Sequence, residues 1–286
     1  MYLNYPAALD AIRSLPAAVD EVGSSVLGEP LLRVRIGPQD AEKVGFLVAG
    51  IHATEWIGVL VALDALRRLA ADPQPDRCIV ALPLLNPDGY RQVSQDRDAG
   101  RWRFRRANAN GVDLNRNWPT HYSPYKPLAW FLPFLGTSGP HACSEPEIAV
   151  AVEELDRVKR RVDRAMSLHS FGRKILLPWG GRWREPPDVE RLRSAAERFA
   201  AGLDETYTIA QTSRWVPGLS ISRGMELDHF YETTGATSLL IECSGGGFSW
   251  SDPATWLDLH RWWNPTDPGP VITDLGPAIS AFLVAR

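Results

Sequence analysis

Residues 44–51, VGFLVAGI, form an unbroken apolar run too short to be a membrane span and bounded by polar chain. Such a run is the mark of a strand buried on both faces, and a doubly buried strand needs helices above and below the sheet. The next segment supplies one. Residues 54–72 place apolar side chains at helical spacing, carry a basic pair near their end and stop before Pro73. The same alternation recurs along the chain. Strands are predicted at 31–37, where period two leaves one wet face, and at 78–85, 165–169 and 236–243. Helices are predicted at 144–163, 187–203 and 271–284, the first with Ser144 and Glu147 at capping-box spacing. NPDGY, 86–90, reads as a turn. Strands and helices in this order make an α/β fold, a largely parallel or mixed sheet covered on both faces. Residues 91–143 show little periodicity, and a loop of that length in a compact domain is usually functional.

Composition excludes several classes. The chain has 286 residues, 44% hydrophobic, with 31 basic against 34 acidic side chains and a formal charge of −3. That balance argues against a general nucleic-acid binder. No apolar run reaches the roughly 18 to 20 residues of a membrane helix, and the N-terminus lacks the form of a signal peptide. Cys78, Cys143 and Cys243 are the only cysteines and form no CxxC pair. A disulfide framework is therefore not expected, and a reducing, cytoplasmic compartment is. No repeat or linker divides the chain, so 1–286 reads as one domain. Its oligomeric state stays open.

The chemistry gathers at strand ends. His52 and Glu55, in GIHATEW, follow the buried strand and lie three residues apart. That spacing puts them on one side of a first helical turn, at the carboxyl edge where open α/β sheets bind ligands. An imidazole and a carboxylate converging there suit two ligands of a His₂Glu zinc site. The plainer alternative is a helix start with an acid favoured by the dipole and a histidine that merely caps. Of the other histidines, His169 emerges at a strand end and is the better third ligand, with His229 next. Asn115 and Arg116, in GVDLNRNWP, can bind a carboxylate. RWRFRR, 101–106, is either a solvated strand face or a phosphate patch. Glu242 ends a buried strand, where a carboxylate is either paired or a general base.

HATE, NPDGY, WR, GVDLNRNWP, SEPE, LHS and a late strand glutamate stand in an order that resembles the M14 zinc carboxypeptidases, over nearly the whole chain from about residue 31. The resemblance implies a single-domain, mixed, mostly eight-stranded sheet between helices. It implies one Zn²⁺ held by His52, Glu55 and His169. By motif match, Arg103, after Trp102, is the arginine that polarises the scissile carbonyl. Asn115 and Arg116 hold the substrate carboxylate, and Glu242 is the general base. The implied substrate is a small peptide with a free carboxylate or, in related amidohydrolases, an N-acyl amino acid or murein-type peptide. A cis Ser170–Phe171 peptide is expected too.

Three positions depart from the family pattern. Thr54 replaces an arginine, Phe171 replaces a tyrosine, and Ser220 falls where a mobile capping tyrosine would stand. Matching positions imply a substrate pocket bordered by Phe171 and lined by Leu176, Gly180, Leu219 and Leu227, with Trp215, so an apolar side chain is expected there. Arg223 and Glu226 lie in the same loop and are the residues that would select a charged one instead. Trp250, Trp256, Trp262 and Trp263 are expected to pack as core, since large aromatics supply buried area first.

Overall fold

A computed structural model describes residues 1–101, 103–124, 136–215 and 222–285. Among them one mixed sheet carries eight strands: β1 (Ala18–Ser24), β2 (Pro30–Ile36), β3 (Lys43–Ala49), β4 (Arg77–Leu82), β5 (Val162–His169), β6 (Lys174–Leu177), β7 (Thr208–Gln211) and β8 (Thr237–Glu242). Their spatial order is β1-β2-β4-β3-β5-β8-β6-β7. The central four, β4-β3-β5-β8, are parallel, and antiparallel pairs join them to the flanks. Parallel strands share one carboxyl edge, so the residues that follow β3, β5 and β8 emerge together.

Helices cover both faces. On one side lie α1 (Tyr5–Arg13), α2 (Trp56–Ala71), α3 (Pro87–Asp98), α5 (Val189–Ala200) and α8 (Gly269–Val284). On the other lie α4 (Pro146–Val158) and α6 (Glu226–Thr234), while the short α7 (Leu259–Trp263) closes an aromatic loop. Alternation along β3 separates the two cores. Leu47 and Ala49 face α2, whereas Phe46 and Val48 face α4 and α6. The expected doubly buried strand is thus β3, from Val44 onward.

Several sequence expectations change. Asn86-Pro87 opens α3 rather than a turn: the Asn86 side chain accepts from Gly89 N at 2.9 Å, and Pro87 takes the first helical position. Asn-Pro-Asp-Gly suits both uses, and α3 is too polar to show helical periodicity. The capping box at Ser144 does not form. The Ser144 hydroxyl donates to Glu145, and Glu147 accepts instead from Asn108 and Val26 N. α4 ends at Val158 because β5 begins at Val162. The described residues of RWRFRR, 101 and 103–106, form no strand; Arg101 and Arg105 both pair with the buried Asp96. The cysteines are free. Among the described residues no helix is long and apolar enough to cross a membrane.

Candidate metal and substrate site

The chain between β3 and α2 carries His52 and Glu55, and it is pinned from two sides. Gly50, with φ +64°, makes the bend that leaves β3; a Cβ there would meet Leu84 at 2.9 Å. Asn86 donates to Ile51 O at 3.1 Å and to Ala107 O at 3.2 Å, tying this connection to the segment that bears Arg106. Asn264 donates to Thr54 O at 2.7 Å and accepts from Ile57 N at 2.9 Å. The helix therefore starts at Trp56, two residues later than its periodicity suggests, and His52 and Glu55 sit before it.

β5 delivers the third group. His169 ends the strand, and its Nδ1 lies 3.1 Å from His52 Nδ1 and 3.0 Å from Glu55 Oε2. Ligand atoms of His52, Glu55 and His169 all fall within 4.8 Å of one another, and all three residues are buried. Behind them stand two more carboxylates. His52 Nε2 faces Asp113 Oδ1 at 3.2 Å, and His169 Nε2 faces Glu226 Oε1 at 2.8 Å. A carboxylate behind each ring fixes the proton on Nε2 and leaves Nδ1 as a lone pair. Two such lone pairs and the Glu55 carboxylate converge on one point, an arrangement that repels itself unless a cation lies between. The donor set of two imidazoles and one carboxylate is that of a catalytic zinc site.

The electrostatics agree. Burial pushes the Glu55 carboxyl up, but His52 and His169 outweigh it and hold the group well below the carboxylate range. Burial likewise pushes His169 down, and Glu226 and Glu55 overcome it, lifting its pKa to about 10. The pocket is built to hold positive charge at this point. A ligating imidazole is neutral, so a metal there would replace that proton.

Glu242, across the β5–β8 register from His169, lines the same cleft. Its Oε2 is buried and has no hydrogen-bond partner among the described residues. Burial, then the charge of Glu55, raises its pKa to about 8, against His169, Arg106 and Lys174. The cleft, about 210 Å³, is also lined by Arg106, Asn115, Arg116, Phe171, Leu176, Trp215, Met225, Leu240 and Trp263. Asn115 exchanges hydrogen bonds with Glu226, donating through Nδ2 at 3.2 Å and accepting from Glu226 N at 3.3 Å. Arg116 donates to Asn115 O at 2.6 Å and Ser222 Oγ at 3.2 Å. Gly224, with φ +69°, brings the next turn against Arg116 O, where a Cβ would lie 2.4 Å away. A larger cavity, about 430 Å³ between α5 and α8, holds none of these groups.

Several sequence-derived candidates stand elsewhere. Arg103 is exposed and borders a separate crevice with Asp96, Arg97 and His260. Of the arginines at 101–106, the one in the cleft is Arg106, whose Nε donates to Asp113 Oδ2 at 2.8 Å and whose Nη1 lies 3.6 Å from Glu55. Asp96 pairs with Arg101 and Arg105, and the arginine that reaches the cleft lies three residues beyond Arg103. Leu227 is fully buried with Leu176, Met225 and Leu240 and does not line the cleft; Met225, at the start of α6, does. Gly180 is likewise absent from the lining, where a Cβ would strike Met225. Glu226 turns toward His169 instead of the substrate space, and Arg223 stays outside near Ser123. His229, bonded to Thr120, sits away from the ligand cluster, with burial lowering its pKa to about 4. Trp102, Leu219 and Ser220 lie outside the described residues. The Ser170–Phe171 peptide is cis, as is Pro178–Trp179.

Asp113 and Arg106 are groups that residue spacing does not single out, and Glu226, expected at the substrate pocket, stands behind His169 instead. Of the first two, Asp113 carries a legible cue, its place two residues before Asn115 in the same motif.

The model of the family described as zinc carboxypeptidase, Peptidase_M14, matches residues 6–255. Carboxypeptidase A2 of Mus musculus is 27% identical over 245 residues, covering 80% of this chain and 53% of the relative. The chain thus spans about half the length of the mammalian relatives it matches. Among solved structures, carboxypeptidase A from Helicoverpa armigera aligns over 100% of this chain and 75% of its own, with TM-score 0.74 at 23% identity. The murein-tripeptide amidase MpaA from Escherichia coli O157 aligns over 90% of this chain and 97% of its own, with TM-score 0.53 at 23% identity. Both likenesses are of fold.

Proposed function

Since the chain belongs to the M14 zinc carboxypeptidase family, we propose that it hydrolyses the amide bond next to a free carboxylate. The observation that carries this reading is one cleft holding the His52–Glu55–His169 ligand cluster, a buried and unpartnered Glu242 oxygen, and Arg116. Zinc bound by the three ligands supplies Lewis acidity to the scissile carbonyl and lowers the pKa of a water. Arg116, with Asn115 beside it, binds the terminal carboxylate and sets the register of the substrate. Leu176, Met225 and Leu240 then receive an apolar side chain. Glu242, favoured in its ionised form against its raised pKa by the cation that the cluster would hold, accepts the proton of the attacking water and returns it to the departing amine. Arg106, held by Asp113 and facing Glu55, stabilises the charge that develops on the carbonyl oxygen. Three free cysteines support a reducing, cytoplasmic setting.

A second substrate class, N-acyl amino acids, is favoured by the rim of the cleft. Phe171 and Trp263 offer partly exposed ring faces there. The test is Glu242→Gln, assayed for zinc content and for hydrolysis of dipeptides and N-acyl amino acids. Stoichiometric zinc with activity lowered by about 10² to 10⁴ supports the general base. Unchanged activity removes Glu242 from the reaction, and absent zinc in the wild type removes the metal site.

A further inference from the structure

The tryptophan-rich segment after β8, expected to be core, is on the surface. Trp250 is 80% exposed, Leu257 78% and Trp256 45%, and Phe171 at the cleft rim is 44% exposed. Their rings form a continuous series that starts in the cleft. Phe171 meets Trp263 edge-on at 5.4 Å, and Trp263 stacks on Trp262 at 6.4 Å. Trp262 meets Phe248 at 5.1 Å, Phe248 meets Trp250 at 4.9 Å, and Trp250 meets Trp256 at 6.3 Å. Each of these rings is at least partly open to solvent. A contiguous apolar surface of this kind marks a binding site more often than chance exposure does.

We propose that this aromatic ladder binds a long apolar acyl group on the substrate, on the side of the scissile bond away from the carboxylate. The proposal rests on the hydrolytic reading of the cleft and names its substrate class: amino acids or short peptides bearing a long-chain acyl group. Two observations select that occupant. The ladder is continuous with the cleft, since Phe171 and Trp263 line both, so whatever it holds lies in line with the reacting amide. Two of its four indole N–H groups, and most side chains between the rings, moreover, are spent within the loop. Trp256 and Trp262 donate their indole N–H groups to Ser249 O and Thr255 O, each at 3.0 Å. The Ser249 and Ser251 hydroxyls bond to each other, Thr255 Oγ1 donates to Asp252 O, and Arg261 pairs with Asp252 and Asp258. Sugar hydroxyls or an extended peptide backbone need donors and acceptors beside the ring faces. A hydrocarbon chain needs only the faces.

The test uses the intact chain with acetyl-, hexanoyl- and decanoyl-leucine. A fully buried methylene changes binding about fourfold, and one resting on an open ring face roughly twofold. The expected result is a rise in kcat/KM of at least tenfold from hexanoyl to decanoyl, carried by KM. Trp250→Ala and Trp256→Ala, both at exposed positions, are expected to abolish that rise and leave acetyl-leucine hydrolysis unchanged. Equal kcat/KM across the series, or a rise that survives both substitutions, overturns the proposal. If neither acyl-leucines nor dipeptides are hydrolysed, the hydrolytic reading has failed separately, and the ladder is judged by binding alone. A saturable change of tryptophan fluorescence with decanoyl-leucine, lost in the double variant, then supports it, and no change overturns it. Sedimentation with phosphatidylcholine vesicles or self-association through Trp250, without dependence on acyl length, overturns it also.

Discussion

Glu226→Gln isolates what the carboxylate behind His169 contributes. Glu226 is fully buried, and one oxygen, Oε1, receives both His169 Nε2 at 2.8 Å and Asn115 Nδ2 at 3.2 Å. Glutamine can keep both bonds through its own Oε1, because its amide nitrogen replaces Oε2, which has no partner among the described residues. The substitution therefore removes charge while keeping shape. A hydrogen bond to a charged group contributes about 1.5–3 kcal/mol against about 0.5–1.5 kcal/mol for a neutral one. The difference of roughly 1–2 kcal/mol falls on the orientation and basicity of His169, a proposed zinc ligand. It corresponds to about a 5- to 30-fold loss of zinc affinity, which overlaps the lower part of the 10- to 100-fold usual for such outer carboxylates.

The assay is competition for zinc against a chromophoric chelator at fixed pH, with far-UV circular dichroism to confirm the fold. The new amide leaves a buried N–H without an acceptor and lowers stability by about 1–3 kcal/mol, so affinity per folded molecule is the quantity to compare. Glu226→Ala, which deletes both bonds, is expected to lose more. Zinc affinity of Glu226→Gln within twofold of the wild type would refute the reasoning and reduce Glu226 to a packing residue. A rise in KM without any change in zinc affinity would do the same, by assigning Glu226 to Asn115 alone.

Arg106→Ala is expected to lower kcat by about 10² to 10³ with KM little changed, because the role proposed for it falls in the transition state. Arg103→Ala, exposed and outside the cleft, is expected to stay within about twofold on both constants in the same assay. Arg116→Ala is expected to raise KM by about 10- to 100-fold for substrates with a free carboxylate and to abolish the preference for them over their amides. Glu147 gives a pH signature far from the cleft. Burial raises its pKa from 4.5 to about 7 despite hydrogen bonds from Asn108 and Val26 N. A raised carboxyl pKa adds stability that is full below about 4.5 and is lost as pH climbs through about 7. Glu147→Gln escapes that loss, so its melting temperature is expected to gain on the wild type by several degrees between pH 5 and pH 8; a constant difference would contradict the shift.

The sheet and the ligand triad were legible in the sequence because one physical fact produces both signals. A parallel strand buried on both faces must be continuously apolar, and the first polar residue beyond it stands at the carboxyl edge where the other parallel strands also end. Val44–Ile51 followed by His52, Ala165–Leu168 followed by His169, and Ser238–Ile241 followed by Glu242 repeat that form. What failed was whatever depends on side-chain partners that periodicity does not reveal. Arg103 and Arg106 are indistinguishable by spacing, and Asp96, which claims Arg101 and Arg105, decides which arginine reaches the cleft. Asn86 reads as a turn residue until its amide is seen bridging Ile51 and Ala107. Glu226 looks like a specificity residue until helix α6 turns it against His169. The tryptophans of 250–263 fail for a different reason. Hydrophobicity alone assigns them to the core, but a loop whose hydrogen bonds close on themselves can hold its rings outward, and continuity with Phe171 and Trp263 then gives those rings a ligand to meet.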